Sequence, residues 1–257
     1  MRNLKTFILL LLLAVSPALA AKITNGEQLV AAMRQKYDGK WYKTLTFVQK
    51  STTIKPDGST SVETWYEAMS VPGKLRVDIA PVEAGKGVLF FDNTQHVFNN
   101  SKLERSQPLI HPLLVLGFDV YGQPADVTVK QLKDLGFDLS NLHEETWQGR
   151  EVYVVGAKAG DLTTPQFWVD KKNLYFVRLF QKVGKDKNRV QETQFNKYQK
   201  VKGGGWVAPE VVFFIDGRKY FLEEYSDIQT DVKLDEKLFD PQKWAEADKT
   251  YYQIKKN

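Results

Sequence analysis

The sequence has 257 residues, a formal net charge of +5 at pH 7 and no cysteine. The lysines and arginines are scattered, whereas nucleic-acid binding typically shows a clustered basic stripe with a reading motif, so the composition argues against that class. The absence of cysteine excludes thiol catalysis, Cys-ligated metals and a lipid-anchored N-terminal cysteine. A sizeable hydrophobic core must therefore hold the fold.

The first twenty residues predict a secretory signal peptide. Arg2 and Lys5 precede an apolar run over residues 7–15, and a small-x-small sequence ends at Ala20. The apolar run is shorter than the roughly 20 residues that cross a bilayer core. We expect cleavage after Ala20, export to the periplasm and a soluble mature protein. Residues 21–257 are expected to form a single domain, because no linker, repeat or low-complexity tract divides them.

An amphipathic helix is predicted after the cleavage site. Asn25 is a suitable N-cap, and Gly39 is a suitable stop. The apolar residues between them recur at helical spacing, at Leu29, Val30, Met33 and Tyr37.

From Leu45 the pattern changes to short runs rich in Thr, Val, Phe, Tyr and Trp, separated by turn sequences such as Pro72-Gly73. Regular spacing of such runs predicts an antiparallel sheet or barrel. Alternation within residues 75–79 predicts one buried face, with Arg76 and Asp78 on the opposite side. In a later run, Phe176 and Phe180 are predicted to share a face.

The β pattern is interrupted at about residues 108–142. An apolar cluster that contains Leu113, Leu114, Leu116 and Phe118 is followed by a second helical stretch that opens at Pro124. Two interpretations stay open: an ordinary helix pair packed on the sheet, or a helical lid over its concave face.

No motif for catalysis, a cofactor or a metal emerges from the sequence. His96, His111 and His143 are isolated, and His111 is interpreted as a cap or surface residue. Adjacent acidic pairs, such as Glu223-Glu224, face opposite sides of a strand and do not cooperate directly. Neither a nucleophile elbow nor a phosphate-binding loop is present, so we predict a protein that is not an enzyme and uses no cofactor.

From Thr46 onward, the order of motifs resembles the LolA/LolB-like lipoprotein carriers, the outer-membrane lipoprotein-sorting proteins. The resemblance spans most of the mature chain and is carried by VPGKLRVD (71–78), GVLFFD (87–92), FWVD (167–170), Leu174, VRL (177–179), Tyr198, GGW (204–206), Pro209, YSDI (225–228) and LFD (238–240). It implies a mainly β (α+β) fold: a strongly curved antiparallel sheet that forms an incomplete β-barrel, with an N-terminal helix and a helical lid.

The resemblance also implies a function. Such proteins bind lipoprotein acyl chains, or other hydrophobic ligands, in a cavity under the lid. We expect a periplasmic lipid or acyl-chain carrier, acting as a lipoprotein-sorting chaperone between membrane donor and acceptor proteins. The alternative is a periplasmic sensor or interaction module of the same fold that recognises a partner or signal lipid. Val71 departs from the family, because a basic residue commonly precedes the proline of this turn and latches the lid.

Candidate ligand-binding residues follow from the aromatic and apolar surplus on the predicted strands and lid. The lid candidates are the four residues named above. The strand candidates are Leu75, Val77, Phe90, Phe98, Trp168, Phe176, Phe180 and Phe213.

Overall fold

The computed structural model describes residues 22–202 and 204–252. The predicted signal peptide therefore lies outside the described residues. Within the described ranges, no helix is both long enough and apolar enough to cross a membrane.

Helix α1 spans Gly26–Lys36, as the sequence predicts. The side chain of Asn25 caps it by accepting a hydrogen bond from the backbone N–H of Gln28 at 2.9 Å. Leu29, Val30 and Met33 are fully buried, so the apolar stripe of the helix faces the core.

The contribution of the Asn25 cap to stability can be tested by substitution. Replacing Asn25 with alanine is expected to lower the free energy of unfolding by about 1 kcal/mol, because one N–H of the first helical turn loses its acceptor. Chemical denaturation measures the change, and Asn25→Asp, which keeps the acceptor, is the matched control. Equal stability of the alanine and aspartate variants would contradict the prediction.

Fifteen strands follow within the described ranges. They are β1 Thr44–Ile54, β2 Thr60–Ser70, β3 Lys74–Ile79, β4 Gly87–Phe91, β5 Thr94–Asn99, β6 Lys102–Pro108, β7 Leu142–Trp147, β8 Arg150–Val155, β9 Gln166–Asp170, β10 Phe176–Val183, β11 Arg189–Asn196, β12 Gln199–Lys200, β13 Trp206–Val207, β14 Glu210–Ile215 and β15 Arg218–Thr230.

All but β12 and β13 form one antiparallel sheet, in the order β6-β5-β4-β3-β2-β1-β15-β14-β11-β10-β9-β8-β7. The sheet is curved and does not close, with β6 and β7 at its two edges. The predicted fold class, a mainly β protein built on an incomplete barrel, is confirmed. The central strands β2, β1 and β15 are the longest, which gives the middle of the sheet its extended wall.

A helical insertion, residues 112–134, connects the edge strands β6 and β7. It consists of α2 (Pro112–Leu114), a π-helical turn (Val115–Asp119), α3 (Val120–Gly122) and α4 (Ala125–Asp134). Its apolar side chains join α1 and one face of the sheet in the main core. We call this face, which carries Leu75, Val77 and Ile79, the inner face.

The outer face of β3 is also buried, although Arg76 and Asp78 point that way. Both side chains are fully buried, because the C-terminal segment, residues 232–252, packs over them. Trp244 of this segment stacks on the Arg76 guanidinium at 3.6 Å. The alternation therefore gives the two faces correctly but does not reveal that both are covered. The segment contains three short 3-10 helices, Glu236–Phe239, Pro241–Lys243 and Thr250–Tyr252.

The prediction that Phe176 and Phe180 share one face of β10 is wrong. The pairing of β10 with β9 shifts register between Phe176 and Arg178. A bulge of this kind breaks the strict alternation of side chains. Phe176 consequently packs in the main core with Leu179, whereas Phe180 packs with Val177 in a smaller cluster on the other face.

Candidate functional site

A cavity of about 340 Å³ lies between the inner face of the sheet and the helical insertion. This volume falls within the usual range of small-molecule sites. Most of the lining side chains are apolar or aromatic, and the set comprises Phe47, Gln49, Trp65, Glu67, Met69, Leu75, Val77, Ile79, Val88, Phe90, Gln95, His111, Leu113, Leu114, Phe118, Phe195, Phe213, Tyr220, Phe221, Glu223 and Tyr225.

Seven residues singled out in the sequence lie together around this cavity. The strands contribute four of them and the helical insertion contributes three. Strand candidates and lid candidates therefore line the same cavity. These residues are Leu75, Val77, Phe90, Phe213, Leu113, Leu114 and Phe118.

Five other candidates do not line the cavity. Phe98 lies on the outer face, stacked on Trp244 with the ring centroids 4.1 Å apart. Trp168 and Phe180 belong to the cluster on the opposite face of β9 and β10. Phe176 and Leu116 are in the main core but outside the cavity, where they contribute packing.

Sequence reasoning missed the part of the wall that the central strands supply. Phe47 of β1, Trp65 and Met69 of β2, and Phe221 and Tyr225 of β15 all line the cavity. The period-two spacing within β2 and β15 was a usable signal for a shared face. The pairing of β1 with β15, which joins the first strand to the last, is not visible in any local pattern.

Five polar side chains lie on this wall, on three adjacent strands: Gln49 of β1, Glu67 of β2, and Tyr220, Glu223 and Tyr225 of β15. The Tyr225 hydroxyl donates to Glu223 Oε2 at 2.6 Å. Glu67 is only 6% exposed and makes no hydrogen bond or ion pair with any described residue. The cavity is therefore apolar around a small acidic patch.

Burial shifts the titration of these groups. It raises the pKa of Glu67 well above its usual range, and the neighbouring Glu223 raises it further. Burial also raises the pKa of Glu223 to about 7, against the opposing hydrogen bonds from Tyr225 and Gln49. On the facing side, burial lowers the pKa of His111 to about 4. At neutral pH the imidazole is thus uncharged, and the two carboxyls together carry less than two negative charges.

His111 has the capping role that its sequence position indicated. Its Nδ1 accepts a hydrogen bond from the backbone N–H of Leu114 at 3.3 Å, at the start of α2. His96 and His143 contact Ser106 and Glu145 in separate places. Among the described residues, no three His, Asp or Glu side chains are grouped to hold a metal ion.

The helical insertion is fastened to the β2–β3 turn near one end of the cavity. Asp119 is 3% exposed, and its Oδ1 accepts a hydrogen bond from the Gly73 N–H at 2.8 Å. Val71 packs close to α3, where a Cβ added to Gly122 would lie 2.8 Å from the Val71 Cγ1. The connection is therefore a hydrogen bond between the Asp119 side chain and the Gly73 backbone. Val71 adds an apolar contact. Burial raises the pKa of Asp119 to about 7.

Several solved structures have a similar fold. The chain is similar to a DUF1329 family protein from Desulfovibrio piger, with a TM-score of 0.56, 15% identity and coverage of 84% of this chain and 95% of that chain. It is similar to a LolA superfamily protein from Nitrosomonas europaea, with a TM-score of 0.51, 14% identity and coverage of 82% and 96%.

A third similar structure is a domain assigned as an outer membrane lipoprotein-sorting protein from Vibrio parahaemolyticus. Its TM-score is 0.56 at 14% identity, with coverage of 85% of this chain and 97% of that chain. No protein-family model matches the sequence, and neither does any curated protein. The chain therefore has a LolA-like fold, as its motifs indicated. None of the three similar structures is named as an enzyme.

Proposed function

We propose that this protein is a periplasmic carrier that binds an acyl chain or related lipid in its inner cavity, as an outer-membrane lipoprotein-sorting chaperone does. The observation that carries the proposal is the apolar cavity of about 340 Å³ between the sheet and the helical insertion. The LolA-like fold supports the same function. The protein provides a binding site and catalyses no reaction.

Burial of the ligand's acyl chain drives binding. Each methylene group transferred from water into an apolar cavity contributes about 0.8 kcal/mol. Aromatic and aliphatic side chains from seven strands and from the helical insertion supply the contacts. No covalent bond is needed, so the same chain can be released to an acceptor once the cavity opens.

The helical insertion serves as the lid in this proposal. Its residues Leu113, Leu114 and Phe118 line the cavity, and its hydrogen bond from Gly73 to Asp119 fixes it to the β2–β3 turn. Opening the cavity requires this bond and the adjacent packing to break. A membrane protein acts as donor and another protein as acceptor, after export and removal of residues 1–20.

A fluorescent acyl probe tests the proposal. The wild-type protein is expected to bind the probe, and Val88→Trp is expected to weaken binding about tenfold or more, because a larger side chain fills space that the ligand needs. Val88 lines the cavity. Val62→Trp is the matched control, since Val62 is 56% exposed and lies outside the lining.

Two results would overturn the proposal. One is an unlabelled, lipid-free protein that takes up no probe. The other is equal binding by Val88→Trp and Val62→Trp, which would place the ligand elsewhere. Capture of a defined partner protein without lipid uptake would favour the sensor or interaction module instead.

A further inference from the structure

Among the residues that the structure describes, none forms an ion pair with Glu67 or Glu223 of the acidic patch on the cavity wall. Glu67 and Glu223 lie on β2 and β15, which flank β1 in the sheet, and Glu223 raises the pKa of Glu67. No lysine or arginine is among the described residues that line the cavity. Buried carboxyls in proteins are normally paired with a cation or fully hydrogen-bonded, so this arrangement needs an explanation.

Glu67 is the sharper case. Its side chain lines the cavity at 6% exposure, with no hydrogen-bond donor supplied by any described residue. Glu223 accepts hydrogen bonds from the Tyr225 hydroxyl and from Gln49, which leaves other acceptor positions of this second carboxyl available. Two carboxyls that face the same apolar space thus lack part of their hydrogen-bonding complement.

Aromatic side chains line the same cavity as the patch. Phe47 and Tyr225 stack with their ring centroids 4.2 Å apart, and Trp65 and Phe221 lie 5.9 Å apart on the same inner face. Aromatic rings attract cations through their negative faces, especially where water is excluded. Carboxyls and aromatic rings together are the chemistry that recognises an ammonium group.

We infer that the ligand is an amphiphile with an ammonium head group, held by Glu67 and Glu223 while its apolar chain fills the rest of the cavity. The inference rests on the proposed carrier function and adds the class of head group. An ammonium donates up to three hydrogen bonds, which matches the open acceptors of the two carboxyls. A carboxylate or phosphate head would instead meet like charge without a basic side chain to offset it.

Competition with three ligands of one chain length tests this inference. Dodecylamine, dodecanol and dodecanoate displace the bound acyl probe at about pH 8, where an alkyl ammonium is charged and Glu223, with a pKa of about 7, is ionised. Dodecylamine is expected to compete at least about tenfold better than dodecanoate, with dodecanol between them, because a charge-assisted hydrogen bond exceeds a neutral one.

Isosteric variants assign the selectivity to the patch. Glu67→Gln and Glu223→Gln are expected to reduce the preference for the amine severalfold while leaving dodecanol binding close to that of the wild type. Glu224→Gln is the matched control, because its side chain is 43% exposed and its neighbour Glu223 points into the cavity. Thermal unfolding of each variant verifies that the fold is retained.

The outcomes separate the two proposals. If the probe binds and dodecanol displaces it, but dodecanoate competes as well as dodecylamine, the head-group inference is wrong and the carrier function stands. An amine preference that persists in both glutamine variants also overturns the inference. If neither the probe nor any of the three ligands binds, the carrier function fails and the inference fails with it.

Discussion

Replacing Asp78 with alanine is expected to lower the free energy of unfolding by about 3–5 kcal/mol, because it leaves the Arg76 guanidinium buried without its counter-ion. Both side chains are fully inaccessible to solvent. Two parallel hydrogen bonds join them, from Arg76 Nε to Asp78 Oδ2 at 2.6 Å and from Arg76 Nη2 to Asp78 Oδ1 at 3.0 Å. Chemical denaturation of the wild type and the variant measures the loss.

The C-terminal segment depends on this pair. Arg76 Nη2 also donates to the Trp244 carbonyl at 3.1 Å, and the Tyr251 hydroxyl donates to Asp78 Oδ2 at 2.6 Å. Lys249 adds a longer ion pair to Asp78 at 3.7 Å. The alanine variant is therefore also expected to release the segment, so that limited proteolysis cuts within residues 232–252 faster than in the wild type.

Two further variants make the test specific. Glu224→Ala removes the exposed ion pair with Lys50 on the same sheet and is expected to cost less than about 1 kcal/mol. The double variant Arg76→Met/Asp78→Leu is expected to recover much of the stability lost in Asp78→Ala, since it removes both buried charges. A cost for Asp78→Ala no larger than that for Glu224→Ala would contradict the role of the pair.

The elements that follow from local pattern were predictable from the sequence. The cap at Asn25, the buried stripe of α1 and the two faces of residues 75–79 are each set by neighbours in the chain. The cavity residues Val77, Phe90 and Leu114 were identifiable because apolar residues on strands and on an amphipathic insertion face the same core.

The features that could not be predicted depend on contacts between residues far apart in the sequence. Arg76 and Asp78 read as solvent-facing charges, since the segment that covers them lies more than a hundred residues further along the chain. Glu67 is an acidic residue on a strand, and only the packing of the insertion over the inner face makes it part of a cavity wall. Phe176 was misplaced because one bulge reverses the side-chain alternation of β10.

Titration of Asp119 is expected to lower the stability of the protein by about 4 kcal/mol as the pH rises from about 4 to about 7. Burial raises the pKa of this carboxyl from its ordinary 3.8 to about 7 in the folded state, and each pKa unit corresponds to about 1.36 kcal/mol. Below the unfolded-state pKa both states are protonated, so no stability is lost there. Between the two values only the unfolded state releases the proton, which favours unfolding; above the folded-state pKa the loss is complete.

Asp119→Asn isolates this contribution. The amide keeps an oxygen to accept the Gly73 N–H, which the carboxyl now accepts at 2.8 Å, but it does not titrate. Glu223 and Glu67 also have raised pKa values, so the wild type and the asparagine variant both lose stability with pH through those groups. The difference between the two curves reports Asp119 alone, because sites without shared partners contribute nearly additively.

The asparagine variant is therefore expected to gain stability relative to the wild type as the pH rises, with urea denaturation at several pH values as the measurement. Asp119→Ala is expected to be less stable than Asp119→Asn at every pH, because it orphans the Gly73 N–H at a cost of about 1–3 kcal/mol. Asp134→Asn, on the exposed side of α4, controls for the loss of one carboxyl. If the stability of the wild type and of Asp119→Asn changed with pH in parallel, the pKa of Asp119 would be the same in the folded and unfolded states, which would contradict the prediction. The helical insertion would then be held with the same strength at acidic and neutral pH, and the fastening at Gly73 would not respond to protons.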